Sequence, residues 1–278
     1  MTRALSASRT TKAVVLARGL GTRMRQADAS ATLTAEQARA ADEGVKGMIS
    51  VGRPFLDYII SALADAGITD VCLVIGPEHT QVRDYYVRDV HPRRVRIQFA
   101  IQEKPLGTAD AVLSAESFAA NDHVLMVNSD NYYPVHTLAA LAQLGTAGVA
   151  VFERGALVRL GNINAERVAK FSVVRRRANG DLDEIIEKPD ATVLAEFGDR
   201  ALVGMNSWSL PPDIYHACRS ISISPRGELE LQDAVMYTIR TMGVAFRVVP
   251  FNDGVLDLSS RGDIASVAAQ LAGVEVRL

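Results

Sequence analysis

The chain has 278 residues, 48% of them hydrophobic, and a formal net charge of −2 at pH 7. This length provides one large domain or two small ones with a sizeable core, and the balanced charge gives no general attraction for nucleic acid or an anionic membrane. No apolar run approaches the length of a membrane span. Cys72 and Cys218 are the only cysteines, and Cys72 lies inside an apolar strand, so a disulfide framework is not expected and we predict a cytoplasmic protein.

Strand and helix patterns alternate in the first half of the chain. Short apolar runs predict strands at 13–16, 70–75, 95–99, 124–127 and 149–152, and helical patterns lie at 34–41, 54–67, 78–89, 108–118 and 135–144. This βαβ alternation predicts an α/β fold of three layers, α/β/α, with a mostly parallel central sheet. In such sheets, ligands bind at the carboxyl ends of the strands.

The pattern changes after Glu153. An Asn-Gly-Asp sequence at 179–181 separates two apolar segments, which is typical of a β-hairpin. The remaining predicted strands are 171–174, 182–186, 201–210 and 244–249, and the remaining predicted helices are 229–242 and 263–271. No linker-like stretch separates the two parts, so we predict a single domain over 12–278, preceded by a disordered tail over 1–11.

The first predicted strand runs into a loop, 18–23, that carries two glycines and two arginines. Glycine lets a backbone turn sharply and approach a ligand closely, and successive backbone N–H groups in such a turn can bind an anion. Arg23 adds a charged fork of donors that suits phosphate. The loop is not a P-loop, because no Gly-Lys-Ser/Thr follows, and it lacks the third glycine of the dinucleotide fingerprint. Taken alone, it also fits a glycine turn with a solvated arginine.

Further chemical groups stand where predicted strands end or helices begin. Lys46 precedes the first long helix, so it can join Arg23 as a second cation for a triphosphate. Gln102 follows the third strand, and its side chain can read the edge of a base together with nearby backbone groups. The alternatives are an exposed lysine and an ordinary strand-to-helix turn that is capped by Thr108.

Two carboxylates are candidates for a metal site. Asp130 follows the fourth strand, and Asp257 follows a short apolar run later in the chain. Mg²⁺ takes one or two carboxylates plus phosphate oxygens, so this donor type suits it. Glu187 and Lys188 end a hairpin strand, where they can bind the hydroxyls and the phosphate of an acceptor. In the alternative interpretation, Asp130 caps a turn and the Glu-Lys pair is a solvated strand end.

Together these motifs resemble the nucleotidyltransferase family that activates sugar 1-phosphates. The resemblance extends from residue 12 to about residue 271. The motifs that carry it are LARGLGTRM (16–24), Lys46, PLGTA (105–109), NSDN (128–131), EKP (187–189), GELELQD (227–233) and Asp257. It implies a nucleotide-diphospho-sugar transferase fold of the GT-A-like Rossmann type, with a nucleotide half at about 12–152 and a sugar-phosphate half at 153–278.

The resemblance also implies Mg²⁺-dependent transfer of a nucleoside monophosphate from an NTP to a sugar 1-phosphate, with release of pyrophosphate. The NTP and the sugar 1-phosphate are then its partners, without nucleic acid or membrane, and a homo-oligomer stays open. The implied catalytic residues are Arg23, Lys46, Asp130 and Asp257, the two aspartates being ligands of Mg²⁺. The implied nucleotide-binding residues are Leu16, Ala17, Gly19, Gly21, Thr22, Gln102, Gly107 and Thr108, and the implied sugar-phosphate-binding residues are Glu187, Lys188, Asn206 and Glu228.

The chain departs from the family pattern at several positions. Arg18 stands where the family usually has glycine, and Ser172 replaces a glycine that contacts the sugar in many members. Val45 and Gly47 replace the usual prolines around the loop lysine. The stretch 26–43 is longer than usual and has few bulky apolar residues, so we expect a lid that is mobile without ligand and ordered with NTP.

Two other functions stay open on the sequence. A glycosyltransferase with a related fold would use an Asp-bound metal and a sugar nucleotide, but Arg23 and Lys46 suit a triphosphate. A catalytically silent nucleotide-binding or regulatory subunit would keep the fold, but the presence of Lys188 and of both aspartates argues against it. The sequence names neither the base of the NTP nor the acceptor.

Overall fold

The structure is a computed structural model that describes residues 9–28 and 31–278. Most of the predicted tail, 1–8, lies outside the described residues. Thr10 is buried, and its backbone N–H donates to the carbonyl oxygen of Ala142 at 2.8 Å. The packed part of the chain therefore includes residues just before the first strand.

The described residues form strands and helices that alternate along most of the chain. The strands are β1 (Lys12–Leu16), β2 (Asp70–Ile75), β3 (Arg96–Ile101), β4 (Val124–Asn128), β5 (Asn131–Tyr132), β6 (Gly148–Glu153), β7 (Val173–Arg176), β8 (Leu182–Ile186), β9 (Leu202–Leu210), β10 (Arg247–Phe251) and β11 (Leu256–Asp257). The helices are α1 (Thr22–Arg25), α2 (Ala35–Glu43), α3 (Phe55–Asp65), α4 (Thr80–Asp84), α5 (Thr108–Ser114), α6 (Glu116–Ala119), α7 (Val135–Gln143), α8 (Arg154–Leu160), α9 (Ala165–Val168), α10 (Ala191–Phe197), α11 (Asp213–Ser220), α12 (Leu231–Arg240) and α13 (Asp263–Leu271). None of these helices, within 9–28 and 31–278, is long and apolar enough to cross a membrane.

One nine-stranded sheet forms the centre of the molecule. Its strand order is β10-β6-β9-β4-β1-β2-β3, and the β7–β8 hairpin joins it through β9. β1 runs parallel to β2 and β4, β3 runs parallel to β2, and β10 runs parallel to β6. Only β9, which is antiparallel to β4 and β6, interrupts this part of the sheet. The predicted mostly parallel sheet is therefore confirmed, and it is continuous between the two halves of the chain.

Helices cover both faces of the sheet because the central strands are apolar on both sides. In β1, Val15 packs into one core together with Phe55 of α3, and Val14 packs into the opposite core together with Ala234 of α12. Successive side chains of a strand point to opposite faces, so one strand supplies both cores. The predicted α/β/α layering follows from this arrangement.

A short antiparallel ribbon of β5 and β11 lies next to the end of β4. It places Asn131 directly opposite Asp257. Each strand of the ribbon has only two residues, so the apolar pattern does not predict it. The ribbon nevertheless positions the site, because it brings a distant part of the chain to the carboxyl end of β4.

Some predicted helices differ from the observed ones. The predicted helix 108–118 is divided at Ala115, whose backbone leaves the helical region, into α5 and α6. The predicted helix 78–89 consists of α4 and a π-helical turn, Tyr85–Val90. In that turn the hydroxyls of Tyr85 and Tyr86 both donate to the buried carboxylate of Asp57, at 2.8 Å each. The segments of α8 to α11 carry no predicted helix.

Candidate active site

An open cavity of about 360 Å³ lies where β1, β3 and β4 end. Its lining consists of Leu16, Ala17, Arg18, Gly19, Leu20, Gly21, Thr22, Arg23, Lys46, Gln102, Pro105, Gly107, Thr108, Ala111, Asn128, Ser129, Asp130 and Glu228. The structure thus places every predicted nucleotide-binding residue around one cavity, together with three of the predicted catalytic residues and Glu228. Its position at the carboxyl ends of parallel strands and its volume both suit a small ligand.

The loop after β1 keeps its shape through close contact with the end of α2. Gly21 has a φ of +61°, and a Cβ at this position would overlap the backbone of Gly44. Arg25 adds a hydrogen bond of 2.7 Å from Nη2 to the carbonyl oxygen of Glu43. Gly19 differs, because no described atom lies within 4 Å of the place a Cβ would take. The space beside Gly19 is therefore free for a ligand.

The segment after β3 is tied to the second half of the chain. Gly107 has a φ of +116°, and a Cβ there would overlap the backbone of Leu229. Two backbone hydrogen bonds, of 2.7 and 2.9 Å, join Leu229 to the residues on either side of Gly107. The hydroxyl of Thr108 accepts from the backbone N–H of Leu231 at 2.9 Å, so Thr108 caps α12 rather than its own helix.

Gln102 is buried at the wall of the cavity. Its side-chain amide donates to the carbonyl oxygen of Gly107 at 3.0 Å and to Oδ2 of Asp110 at 2.8 Å. These bonds fix the orientation of the Gln102 side chain beside the glycine turn. A base that enters this part of the cavity would meet an ordered polar edge.

Lys46 and Asp130 form an ion pair in the cavity, with Nζ 2.8 Å from Oδ2. Lys46 begins a short 3-10 turn before α3, and Asp130 follows β4. Both side chains are mostly buried, with exposed fractions of 16% and 23%. The carbonyl oxygen of Asp130 accepts from the backbone N–H of Leu258 at 2.8 Å. This bond ties the end of β4 to the residue that follows Asp257.

Asp257 lies just outside the lining of the cavity, and both of its carboxylate oxygens have partners. Oδ1 accepts from Asn131 Nδ2 at 3.0 Å and from Ser259 Oγ at 2.9 Å, and Oδ2 accepts from Nη2 of Arg167. Burial raises the pKa of the Asp257 carboxyl to about 6, and the nearby charge of Asp130 acts in the same direction. The Arg167 guanidinium opposes this shift.

The donor set fits a small divalent cation. Asp130 is close enough to Asp257 for its charge to disfavour ionisation of the Asp257 carboxyl, and a cation bound by both would relieve that repulsion. Within the part of the chain that the structure describes, no group of three or more His, Cys, Asp or Glu side chains is arranged for a metal. Two carboxylates suffice for Mg²⁺ when the substrate contributes phosphate oxygens.

The predicted sugar-phosphate residues differ in their position relative to the cavity. Glu187, Lys188 and Asn206 lie outside the lining of the cavity, whereas Glu228 is part of it. Lys188 and Asn206 have φ values of +46° and +56°, a conformation that non-glycine residues adopt rarely and often at functional sites. Gln232 of α12 donates to Oδ1 of Asn206 at 3.2 Å.

Charge is concentrated around Glu187. Burial raises the pKa of the Glu187 carboxyl, and the negative charges of Glu230 and Asp233 act in the same direction. Arg226 and Lys188 oppose them with positive charge. The group therefore combines acceptors for hydroxyls with cations for a phosphate.

Sequence reasoning missed several polar residues of the site. Arg167 donates to both Asp257 and Asp263, and Asn131, Ser259 and Gln232 each orient a predicted site residue. Asn131 lies inside the NSDN motif (128–131), so its position next to Asp130 could have indicated that it belongs to the site. Arg167 lies in a polar segment without any motif, and its contact depends on the fold.

A known family model matches the sequence that folds into this site. The family model described as Nucleotidyl transferase matches residues 12–257. The chain belongs to this family. The predicted family is thereby confirmed, as is the prediction that the protein is a nucleotidyltransferase enzyme.

Relatives of this nucleotidyltransferase include enzymes named for sugar 1-phosphates. It is 29% identical over 233 residues to a UTP–glucose-1-phosphate uridylyltransferase of Haloferax volcanii, covering 83% of this chain and 84% of the relative. It is 32% identical over 229 residues to a glucose-1-phosphate thymidylyltransferase of Streptomyces antibioticus, covering 82% of this chain. This nucleotidyltransferase spans only 57% of the Streptomyces protein's length and 56% of that of a low-salt glycan biosynthesis nucleotidyltransferase of Haloferax volcanii.

Solved structures share the fold of this nucleotidyltransferase. A UDP-glucose pyrophosphorylase complexed with UDP-glucose matches with a TM-score of 0.73 and 17% identity, covering 96% of this chain and 100% of the other. A UTP-bound UGPase from Acinetobacter baumannii matches with a TM-score of 0.72 and 19% identity, covering 96% and 95%. At these identities the likeness concerns the fold alone, and it confirms the predicted Rossmann-like α/β architecture.

Proposed function

We propose that this nucleotidyltransferase transfers a nucleoside monophosphate from an NTP to a sugar 1-phosphate and releases pyrophosphate. The observation that carries the proposal is the single cavity lined by the glycine loop, Arg23, Lys46, Asp130 and Gln102. It offers cations and backbone donors for a triphosphate and an ordered polar edge for a base. The relatives named as uridylyl- and thymidylyltransferases for glucose 1-phosphate support the same reaction class.

The phosphate end of the cavity lies near Arg23 and Lys46. Arg23 is exposed at the mouth, and the Lys46 ammonium is held by Asp130 at 2.8 Å. A bound triphosphate would accept from both cations, and they would stabilise the negative charge that the departing pyrophosphate acquires. Lys46 is therefore positioned by a carboxylate before the substrate arrives.

The reaction needs no general base, because a sugar 1-phosphate is already an anionic nucleophile. The protein has to align the acceptor phosphate with the α-phosphate and to neutralise charge. Asp130 and Asp257 would hold Mg²⁺, which supplies part of that neutralisation when bound. Asn131, Ser259 and Arg167 keep the Asp257 carboxylate in place.

The acceptor would bind on the side of Glu187, Lys188, Asn206 and Glu228. Lys188 supplies a positive charge for the sugar phosphate, and the Glu187 carboxyl can accept from sugar hydroxyls. Glu228 lines the nucleotide cavity and adjoins Leu229, which contacts the Gly107 turn. The two substrates would thus meet between the carboxyl ends of β1 and β4 and the start of α12.

A matrix of five NTPs against a panel of sugar 1-phosphates, scored by pyrophosphate release, tests the proposal. We expect release only when NTP, sugar 1-phosphate and Mg²⁺ are all present. Reactions without sugar phosphate are the control. NTP binding without turnover across the whole panel would instead support the silent regulatory subunit, and turnover of a sugar nucleotide alone would support the glycosyltransferase. The cytoplasmic location and the homo-oligomer stay predictions.

A further inference from the structure

Arg18 is a buried arginine whose hydrogen-bonding capacity is only partly used. Its side chain is 7% exposed and lines the cavity. Nη2 donates to the carbonyl oxygen of Glu103 at 3.1 Å and lies 3.5 Å from Oε1 of Glu78. Nε and Nη1 have no hydrogen-bond partner among the described residues. Buried donors without partners are uncommon and costly, so these two indicate acceptors that a ligand brings.

The position of Arg18 decides which part of a nucleotide supplies these acceptors. Its bond to Glu103 anchors the guanidinium beside Gln102, at the end of β3. Arg23, at the other end of the glycine loop, and Lys46 also line the cavity, and they already provide cations for a triphosphate. This step rests on the proposed function, which places the base next to Gln102 and Gly107. Arg18 then lies beside the base, and its unpartnered donors face the base rather than the phosphates.

A guanidinium can donate hydrogen bonds but cannot accept them. It therefore pairs with a keto oxygen of a base and leaves an exocyclic amino group without an acceptor. We propose that Arg18 is a specificity-determining residue that selects an NTP with a keto group over its amino counterpart. The ligand class is thus a uracil, thymine or hypoxanthine-type nucleotide, guanine included, rather than a cytosine or adenine nucleotide.

Two nucleotide pairs test this at a single exocyclic position. UTP and CTP differ in the group at one ring carbon and the adjoining ring nitrogen, and so do ITP and ATP. We expect the wild-type chain, titrated calorimetrically in Mg²⁺, to bind the keto member of each pair that binds measurably about tenfold or more tightly. Binding is measured directly, so the result does not depend on turnover or on knowing the acceptor.

Variants separate base selection from a structural role. Arg18→Met keeps much of the side-chain bulk but removes all donors, and we expect the keto preference to fall about tenfold while CTP or ATP binds nearly as before. Arg18→Gln offers both a donor and an acceptor, so we expect it to move the preference toward the amino member. Arg93→Met, at an exposed arginine outside the cavity, is the matched control and should leave all four affinities unchanged.

Several outcomes would overturn the inference. A wild-type chain that binds CTP as tightly as UTP, or ATP as tightly as ITP, overturns it without any variant. An equal loss of affinity for all four NTPs in Arg18→Met would place the contact on ribose or phosphate. Unchanged selectivity in this variant would make Arg18 a structural residue. The absence of any NTP binding would refute the proposed function itself, whereas turnover without keto preference would refute only this inference.

Discussion

Lys46 and Asp130 meet in the cavity, Nζ to Oδ2 at 2.8 Å, although 84 positions separate them in the chain. The lysine lies before α3 and the aspartate after β4, so the fold rather than the local sequence creates the pair. One residue is a candidate for phosphate binding and the other for metal binding. Their contact gives the cavity a balanced pair of charges.

Removal of the Lys46 charge should weaken the binding of NTP. In Lys46→Met we expect the KM for NTP to rise about tenfold or more, because a charge-assisted contact to phosphate is lost. Steady-state pyrophosphate release measures this, and Lys170→Met, at an exposed lysine, is the control. An unchanged KM for NTP in Lys46→Met would place Lys46 outside the triphosphate site.

The two aspartates should act as one unit. Asp130→Asn and Asp257→Asn should each lower kcat by about 100-fold or more, since an ion that neutralises phosphate charge contributes several kcal/mol. The double variant should be scarcely worse than either single one, because residues that act together are non-additive. Folding should stay nearly intact, as checked by thermal unfolding. Independent, multiplicative losses in kcat would mean that the two carboxylates do different work.

Mg²⁺ affinity should depend on pH through Asp257. The pKa of this carboxyl is raised to about 6, so the native state holds a proton in a range where the unfolded chain has lost it. Lowering the pH from about 7.5 to about 5.5 should weaken Mg²⁺ binding about fourfold, the ratio of the ionised fractions, because metal ligands must be deprotonated. Titration with Mg²⁺ alone measures this.

The same shift has a consequence for stability. Because the pKa of Asp257 is raised in the folded state, protonation of this carboxyl stabilises the folded protein. This contribution to the free energy of unfolding is fully present below the unfolded pKa and is lost as the pH rises through about 6.

In Arg167→Met the pKa of Asp257 should rise further, because the opposing positive charge is gone. The pH midpoint of Mg²⁺ binding should then move upward, and a midpoint that stays in place would contradict the role of Arg167.

Lys188 should serve the acceptor rather than the nucleotide. In Lys188→Ala we expect the KM for sugar 1-phosphate to rise about tenfold or more while the KM for NTP changes little, because only one phosphate loses a charge-assisted contact. The backbone of Lys188 already has a φ of +46°, so alanine adds no new strain there. Lys170→Ala is the control. Equal rises in both constants would refute the assignment.

The lid over 26–43 stays a prediction, and the structure shows contacts that hold part of this stretch. The second part of this stretch, α2, is anchored: Gln37 Nε2 donates to the carbonyl oxygen of Ser50 at 2.8 Å, and Arg261 pairs with Asp42. Residues 29–30 lie outside the described residues. We expect NTP with Mg²⁺ to slow hydrogen exchange in this stretch, since Arg23 and Lys46 flank it. Unchanged exchange would refute the lid.

The sequence predicts β1, β2, β4 and β6 well, because each is a largely apolar run in the part of the sheet that is covered on both faces. The edge strand β3 is predicted from alternating apolar residues. The sequence does not predict the π-helical turn at Tyr85–Val90, since that turn depends on hydroxyl bonds to Asp57. The β5–β11 ribbon is too short to leave an apolar pattern. Local signals therefore suffice for the layers of the fold and fail where a distant partner sets the geometry.

The candidate site shows the same division. The motif residues of the glycine loop, Gln102 and Asp130 could be read from the chain, and the structure gathers them around one cavity. Arg167, which pairs with Asp257, could not be read from the chain, because it lies 90 positions away and outside any motif. The alternative in which Thr108 caps its own helix is wrong, because its hydroxyl caps α12 instead.

That cap, with the hydrogen bonds between Leu229 and the Gly107 turn, forms a contact region that joins the two proposed substrate sites. A movement of the turn that accompanies base binding must also move the start of α12, where the acceptor would bind. By thermodynamic reciprocity, whatever factor a bound NTP adds to the affinity for the sugar phosphate, the sugar phosphate adds to the affinity for the NTP. Any preferred order of substrate addition would then originate in this contact region rather than in either proposed binding site alone.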